Sequence, residues 1–251
     1  MKIPKGEKLY FTSDHHFGIP NPTESSAREK TFLRWLEGIK ADVFELFILG
    51  DLFDFWFEYK TVVPKGFVRV LGKLAEMADS GIRIHFFTGN HDLWMTDYLE
   101  REIGVTLYRE VQSFQYGGKT FLIGHGDGLG PGDSGYKRMK KLFANPWAKR
   151  AFRWIHPDLG VRLGRYLSTQ NKLISGDAGV GFSGEKNERL AQYAERKLQE
   201  KHYDYFIFGH RHLPLDMPIG ARSRYVNLGD WITHFTYASF DGTQLLLEKY
   251  V

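Results

Sequence analysis

Five short stretches of this chain carry side chains suited to chemistry: "TSDHHFG" with Asp14 and His16, "GDLFD" with Asp51 and Asp54, "GNHD" with Asn90 and His91, "GHGD" with His125, and "GHRH" with His210 and His212. Asp51 and Asp54 stand inside "FILGDLFDFWF", among large apolar and aromatic residues. Taking an ionised carboxylate out of water costs several kcal/mol unless a cation or a set of donors compensates it. A metal ion is the partner that the other four stretches supply ligands for. The chain has no cysteine, so its metal ligands must be oxygen and imidazole, which suit Mn²⁺, Fe²⁺, Zn²⁺ or Mg²⁺. Asp14, His16, Asp51, Asn90, His125, His210 and His212 are too many for one tetrahedral ion, so two ions are expected, with Asp51 able to bridge them. Two ions roughly 3.5 to 4 Å apart lower the pKa of a bound water and brace phosphoryl oxygens during in-line attack. The expected chemistry is phosphoester or phosphoanhydride hydrolysis. Any one stretch alone is a common sequence; the signal is their order and placement.

Each stretch follows an apolar run: "LYFTS", "LFILG", "HFFTG", "TFLIG" and "YFIFG". These runs alternate with helical patterns such as "AREKTFLRWLEGI" and "FVRVLGKLAEMADSG". The rhythm reads as βαβαβ, a layered α/β core whose strands deliver polar residues to loops at one rim. Gly50, Gly89, Gly124 and Gly209 beside the ligands permit sharp turns there. Gly117-Gly118 and Asp241-Gly242 each separate two strand-like runs and predict hairpins. A last core helix is expected within "EKNERLAQYAERKLQE", before the strand "YDYFIFG". The 251 residues are expected to form a single domain, 1–251.

One segment breaks this rhythm. From Lys137 to Lys172 ten Lys or Arg face a single acid, Asp158, so the segment carries +9 and leaves −5 to the rest of a chain whose net charge is +4. Tyr136, Leu142, Phe143, Trp147, Phe152, Trp154 and Ile155 are interleaved with these charges. Asn145 and Pro146 of "NPW" mark a helix start. A helical lid inserted over 134–182 is expected, basic and aromatic, suited to an anionic and partly apolar partner such as an anionic membrane surface. The N-terminal residues "MKIPKGEKLYFTSDHH" lack a signal-peptide core, and no run approaches the roughly 18 to 20 apolar residues of a membrane span. The expected location is cytoplasmic, peripheral on the inner face of the cytoplasmic membrane.

"SDHHFG", "GDLFD", "GNHD", "GHGD" and "GHRH", in this order, resemble the motifs of the calcineurin-like metallophosphoesterases. The resemblance implies two packed β-sheets flanked by helices, a four-layer α/β (α+β) sandwich. It implies one ion on Asp14, His16, Asp51 and His212 and a second on Asp51, Asn90, His125 and His210. It further implies that His91 meets the substrate phosphate beside Asn90 and that Asp54 orients the His91 ring. Within that superfamily, "GDLFDFWFEY" followed by "HGDGLGPGDSGYKRMKKLFANPWAKRAF" resembles the UDP-2,3-diacylglucosamine hydrolases of lipid A biosynthesis. That implies a pyrophosphohydrolase that releases UMP and 2,3-diacylglucosamine 1-phosphate, with Mn²⁺ the leading metal and Asp133, Tyr136 and Lys172 contacting the substrate. Many members carry Arg and Glu where this chain has His91 and Asp54. The alternative is a calcineurin-like phosphatase or phosphodiesterase acting on a soluble nucleotide or phosphoprotein. Nucleic acid is not an expected partner, because the positive charge is confined to one segment beside bulky apolar residues. Oligomeric state is not legible in the sequence.

Overall fold

Strands that are apolar on both faces must be covered on both faces, and the architecture of the computed structural model follows from that. It describes residues 1–131, 137, 140–141, 143, 145–175, 184 and 188–251, with the backbone alone over 169–175. One sheet has the order β11-β10-β1-β2-β3-β4, built from β1 (Lys8–Thr12), β2 (Val43–Ile48), β3 (Arg83–Phe87), β4 (Thr106–Tyr108), β10 (Thr236–Phe240) and β11 (Leu245–Lys249). The other has the order β5-β6-β7-β9-β8, from β5 (Gln112–Tyr116), β6 (Lys119–Ile123), β7 (Tyr205–Phe208), β8 (Pro214–Ile219) and β9 (Ser223–Leu228).

Alternation along the strands divides the core into layers. Leu9, Phe11, Phe47, Leu49, Phe121, Ile123 and Ile207 meet between the sheets. Tyr10, Leu46, Ile48, Ile84 and Phe86 face outward, onto α1 (Pro22–Ile39) and α2 (Val68–Asp79). Leu122, Phe206 and Phe208 face outward on the other side. There Leu190, Ala191, Tyr193 and Ala194 of the helix Arg189–Glu200 cover them. The result is the expected four-layer sandwich of two mixed sheets between helices.

β1, β2 and β3 run parallel in the first sheet, and β6, β7 and β9 run parallel in the second. Their six C-terminal ends form the rim that carries the site. Both predicted hairpins are present, β5–β6 across Gly117-Gly118 and β10–β11 across Asp241-Gly242. The Asn145 side chain caps α3 (Pro146–Phe152) through Trp147 N–H at 2.8 Å. α4 (Pro157–Ser175) follows it, so the helix Arg189–Glu200 is α5. Residues 134 and 182, the expected ends of the lid, lie outside the described residues, as do Asp133 and Tyr136 and the side chain of Lys172.

Candidate metal centre

The loops after the parallel strands bring all seven ligands expected from the sequence into one connected cluster. His16 Nε2 lies 3.1 Å from His212 Nε2, 3.8 Å from Asp14 Oδ1 and 3.6 Å from Asp51 Oδ2. Asp51 Oδ2 is also 3.3 Å from His125 Nε2. Asn90 Oδ1 stands 3.1 Å from His125 Nε2 and 3.0 Å from His210 Nδ1. Asp51 therefore sits between two groups of ligands.

The local backbone is bent to achieve this. Asp14, His16, Asp51, His210 and His212 all adopt the left-handed conformation, with φ between 46° and 70°. That region costs an ordinary residue of order 1–3 kcal/mol and persists where its surroundings enforce it. One enforcing residue is Arg28 of α1, which is buried and donates to three main-chain carbonyls: His15 O at 2.8 Å, His16 O at 2.8 Å and Ile19 O at 2.6 Å. Gly89 lets the next loop approach, since a Cβ there would collide with Asp51 Oδ1. Asp92 does not touch a ligand imidazole. It accepts the main-chain N–H groups of Gly89 at 2.6 Å and Leu52 at 3.0 Å, tying two ligand loops together.

The donor set fits a divalent cation. His125 Nδ1 faces Leu49 O at 2.7 Å; a carbonyl can only accept, so that nitrogen holds the proton and Nε2 offers its lone pair. His16 Nδ1 lies 3.3 Å from Asp54 Oδ1, and His212 Nδ1 lies 3.6 Å from Asp230 Oδ2. Both carboxylates favour the ring proton on Nδ1, and in that tautomer the lone pairs of the two Nε2 atoms face each other across 3.1 Å. Beside them, the buried Asp14 Oδ1 has no hydrogen-bond partner among the described residues. A cation resolves both features. Burial alone would raise the Asp51 carboxyl, but the rings of His125, His91 and His16 outweigh it and hold it well below the usual carboxylate range. Burial likewise lowers His125, yet Asp51 overrides it and pushes the ring up to about 10. The cluster favours positive charge, which a divalent ion supplies more fully than an imidazolium.

Around the ligands, Asp54 serves two rings: His16 at 3.3 Å and His91 Nδ1 at 3.6 Å. His91 N–H also donates to Asp51 Oδ1 at 2.9 Å. Lys140 pairs with Asp127 at 2.6 Å, joining the basic segment to the rim. Ser168 of α4 lies 2.7 Å from His91 Nδ1 and donates to Asp54 Oδ2 at 3.1 Å. Sequence reasoning missed Arg28 and Ser168, because each sits on a helix and meets its partners only through the fold. Asp230, in "NLGDW" after β9, supports the cluster beside His212 and also accepts the N–H groups of Ile232, Thr233 and His234. His15, His85, His156 and His202 take no part in the cluster. His15 stacks on Trp231 in the core and His85 faces Glu45, while His156 and His202 are exposed.

Fold, rim and donor set define a metal-dependent phosphoester hydrolase, and the chain belongs to the calcineurin-like phosphoesterase family, whose model matches residues 7–214. More particularly, it is similar to the UDP-2,3-diacylglucosamine hydrolase of Porphyromonas gingivalis, 39% identical over 254 residues that cover 96% of this chain and 97% of that protein. It is 29% identical to the UDP-2,3-diacylglucosamine hydrolase of Yersinia pestis, over 88% of this chain and 90% of the relative. The solved structure of Vacuolar Protein Sorting 29 from Cryptosporidium parvum matches with a TM-score of 0.46 at 12% identity, covering 97% of this chain and 90% of that one.

Proposed function

We propose that this chain is a dinuclear-metal pyrophosphohydrolase that cleaves UDP-2,3-diacylglucosamine to UMP and 2,3-diacylglucosamine 1-phosphate. The observation that carries the reaction is the pair of opposed imidazole nitrogens, His16 and His212, beside an Asp14 oxygen that lies 3.3 Å from His212 Nε2 and makes no hydrogen bond among the described residues. The substrate rests on the similarity to UDP-2,3-diacylglucosamine hydrolases across nearly the whole chain and on the aromatic, basic segment over the rim.

In this reading Asp14, His16, Asp51 and His212 would hold one ion and Asp51, Asn90, His125 and His210 the other. Mn²⁺ is the leading candidate, with Fe²⁺, Zn²⁺ and Mg²⁺ compatible with the same nitrogen and oxygen donors. Bound ions would supply Lewis acidity and lower the pKa of water for attack at phosphorus. The protein's own residues position and shuttle protons. His91 Nδ1 is committed to Asp54 O at 3.0 Å and to Ser168, which leaves Nε2 to meet the phosphoryl oxygens and protonate the leaving group. Asp54 and Asp230 hold the rings of His16 and His212 in the metal-binding tautomer. Asp133, Tyr136 and Lys172 are assigned to the substrate by their positions in the sequence.

The lid would clasp the acyl chains and dock on an anionic leaflet. Trp147 and Trp154 are 73% and 88% exposed, with Leu159, Leu163 and Tyr166 exposed on α4. Arg150 lies over the Trp147 ring at 5.6 Å. Apolar bulk flanked by cations suits the interface of an anionic bilayer, and no helix of the described residues is long and apolar enough to cross a membrane. Incubating the metal-loaded protein with UDP-2,3-diacylglucosamine and detecting UMP by mass spectrometry tests the reaction. UMP release is expected. Turnover of a small phosphodiester without UMP release would shift the reading to a phosphatase or phosphodiesterase for a soluble nucleotide or phosphoprotein.

A further inference from the structure

The hydrogen-bond directions around Ser168 are determined by its chemistry. A hydroxyl has one proton, and a carboxylate can only accept, so the Ser168 O–H points to Asp54 Oδ2 at 3.1 Å. The Oγ lone pair then accepts from His91 Nδ1–H at 2.7 Å. Asp54 O, 3.0 Å from the same nitrogen, is also a pure acceptor and agrees with that direction. The chain His91 Nδ1–H to Ser168 O–H to Asp54 fixes both the plane and the tautomer of the His91 ring.

What puts Ser168 there is the packing of α4. Gly160, Gly164 and Ser168 recur every four residues and line one face of the helix. A Cβ at Gly160 would collide with the Tyr59 hydroxyl, and one at Gly164 with the Phe55 ring. The helix therefore lies flush on residues 55–59, the segment that continues from Asp54. Neighbouring ties hold the lid down: Trp94 Nε1–H donates to Phe143 O at 2.7 Å and Arg153 Nε–H to Glu58 O at 3.2 Å. The opposite face of α4 exposes Leu159, Leu163 and Tyr166. The helix thus presents apolar side chains outward and the Ser168 hydroxyl, 7% exposed as a residue, inward to the site.

We propose that Ser168 is a positioning residue for hydrolysis: it orients His91, so the ring is aligned only when helix α4 is seated on residues 55–59. The proposal rests on His91 as the group that meets the phosphate, and it ties the lid to the reacting centre.

The test is Ser168→Ala in the full-length, metal-loaded protein, assayed on UDP-2,3-diacylglucosamine and on bis(p-nitrophenyl) phosphate. On both, kcat should fall roughly tenfold, the scale of one hydrogen bond at an acid–base group, with KM unchanged. In a His91→Ala background the same substitution should change kcat less than about twofold. A full tenfold loss in that background, or a loss confined to KM, would make Ser168 a packing residue and overturn the proposal. A second readout needs no turnover: histidine-selective ¹⁵N spectra of the metal-free protein, with His91 assigned from His91→Ala. The wild type should show His91 as the Nδ1–H tautomer and Ser168→Ala a mixture; identical spectra would overturn the proposal. If neither substrate is hydrolysed by the wild type, the functional reading fails, while the spectra still decide the role of Ser168.

Discussion

Replacing Arg28 by lysine should damage a site that the side chain supports through main-chain carbonyls. The Arg28 guanidinium spans the carbonyls of His15, His16 and Ile19 at 2.6 to 2.8 Å, which keeps the loop carrying Asp14 and His16 in its left-handed turns. A lysine ammonium is a point donor on a flexible stem and cannot reproduce that fork. At least two of the three carbonyls then lose a charge-assisted partner inside a buried region. At roughly 1–3 kcal/mol for each unsatisfied group, offset partly by local relaxation, the loss is about 2–4 kcal/mol. For a chain of this length that lowers Tm by about 5 to 15 °C. Because the loop carries Asp14 and His16, proposed to hold metal, Mn²⁺ affinity should also fall by about 10- to 100-fold, the range seen when residues supporting a metal's ligands are removed. Differential scanning calorimetry of the metal-free protein and Mn²⁺ titration by isothermal calorimetry read the two effects separately. An Arg28→Lys variant with wild-type Tm and wild-type Mn²⁺ affinity would refute the claim that Arg28 holds the ligand loop in place.

Three further outcomes follow from other parts of the molecule. Glu45 is buried on β2 against His85, Arg83 and Tyr116; burial raises its carboxyl, but the bonds from His85 and Tyr116 outweigh this and its pKa is lowered. The stability it contributes is therefore present above its unfolded value of about 4.3 and is lost as pH falls through the folded value. Glu45→Gln should cost about 2–3 kcal/mol at pH 7 and clearly less near pH 3 by urea unfolding, and equal losses at both pH values would contradict this. Gly164→Leu should drive a side chain into Phe55, destabilise by about 1–3 kcal/mol and lower turnover at least tenfold; an unaltered rate would mean that α4 need not lie flush on residues 55–59. Trp147→Ala or Phe143→Ala should reduce turnover of the acylated substrate by roughly tenfold more than turnover of bis(p-nitrophenyl) phosphate. Trp147→Ala should also weaken co-sedimentation with anionic vesicles, and equal losses on both substrates would remove these side chains from acyl recognition.

What the sequence disclosed and what it hid follow from how far each signal reaches along the chain. Strands such as "LFILG" are apolar on both faces and end in loops that carry the cluster, so β1, β2, β3, β6 and β7 and the seven residues that meet at the rim could be read from local pattern. β8 could not: Pro214, Asp216 and Pro218 contradict a strand, and they are tolerated because β8 is an edge. α1 begins at Pro22 with Asn21 capping Glu24 N–H, earlier than its apolar periodicity suggests, because its first turn is polar. Ser168 meets Asp54 across 114 residues and His91 across 77. No composition or spacing rule marks a lone serine on a basic helix as a partner of a distant dyad. Arg28 was hidden for the same reason, since its bonds go to main-chain carbonyls that any residue could offer.

Counting metal ions per chain tests the central claim most directly. After loading with Mn²⁺ and removal of free ion, inductively coupled plasma mass spectrometry of the wild type should find two ions per chain, because Asp51 Oδ2 stands within 3.6 Å of His16 Nε2 and 3.3 Å of His125 Nε2. Asp51→Ala removes the one carboxylate both groups share and should lose metal and hydrolysis together. Two ions and wild-type turnover in Asp51→Ala would contradict the account.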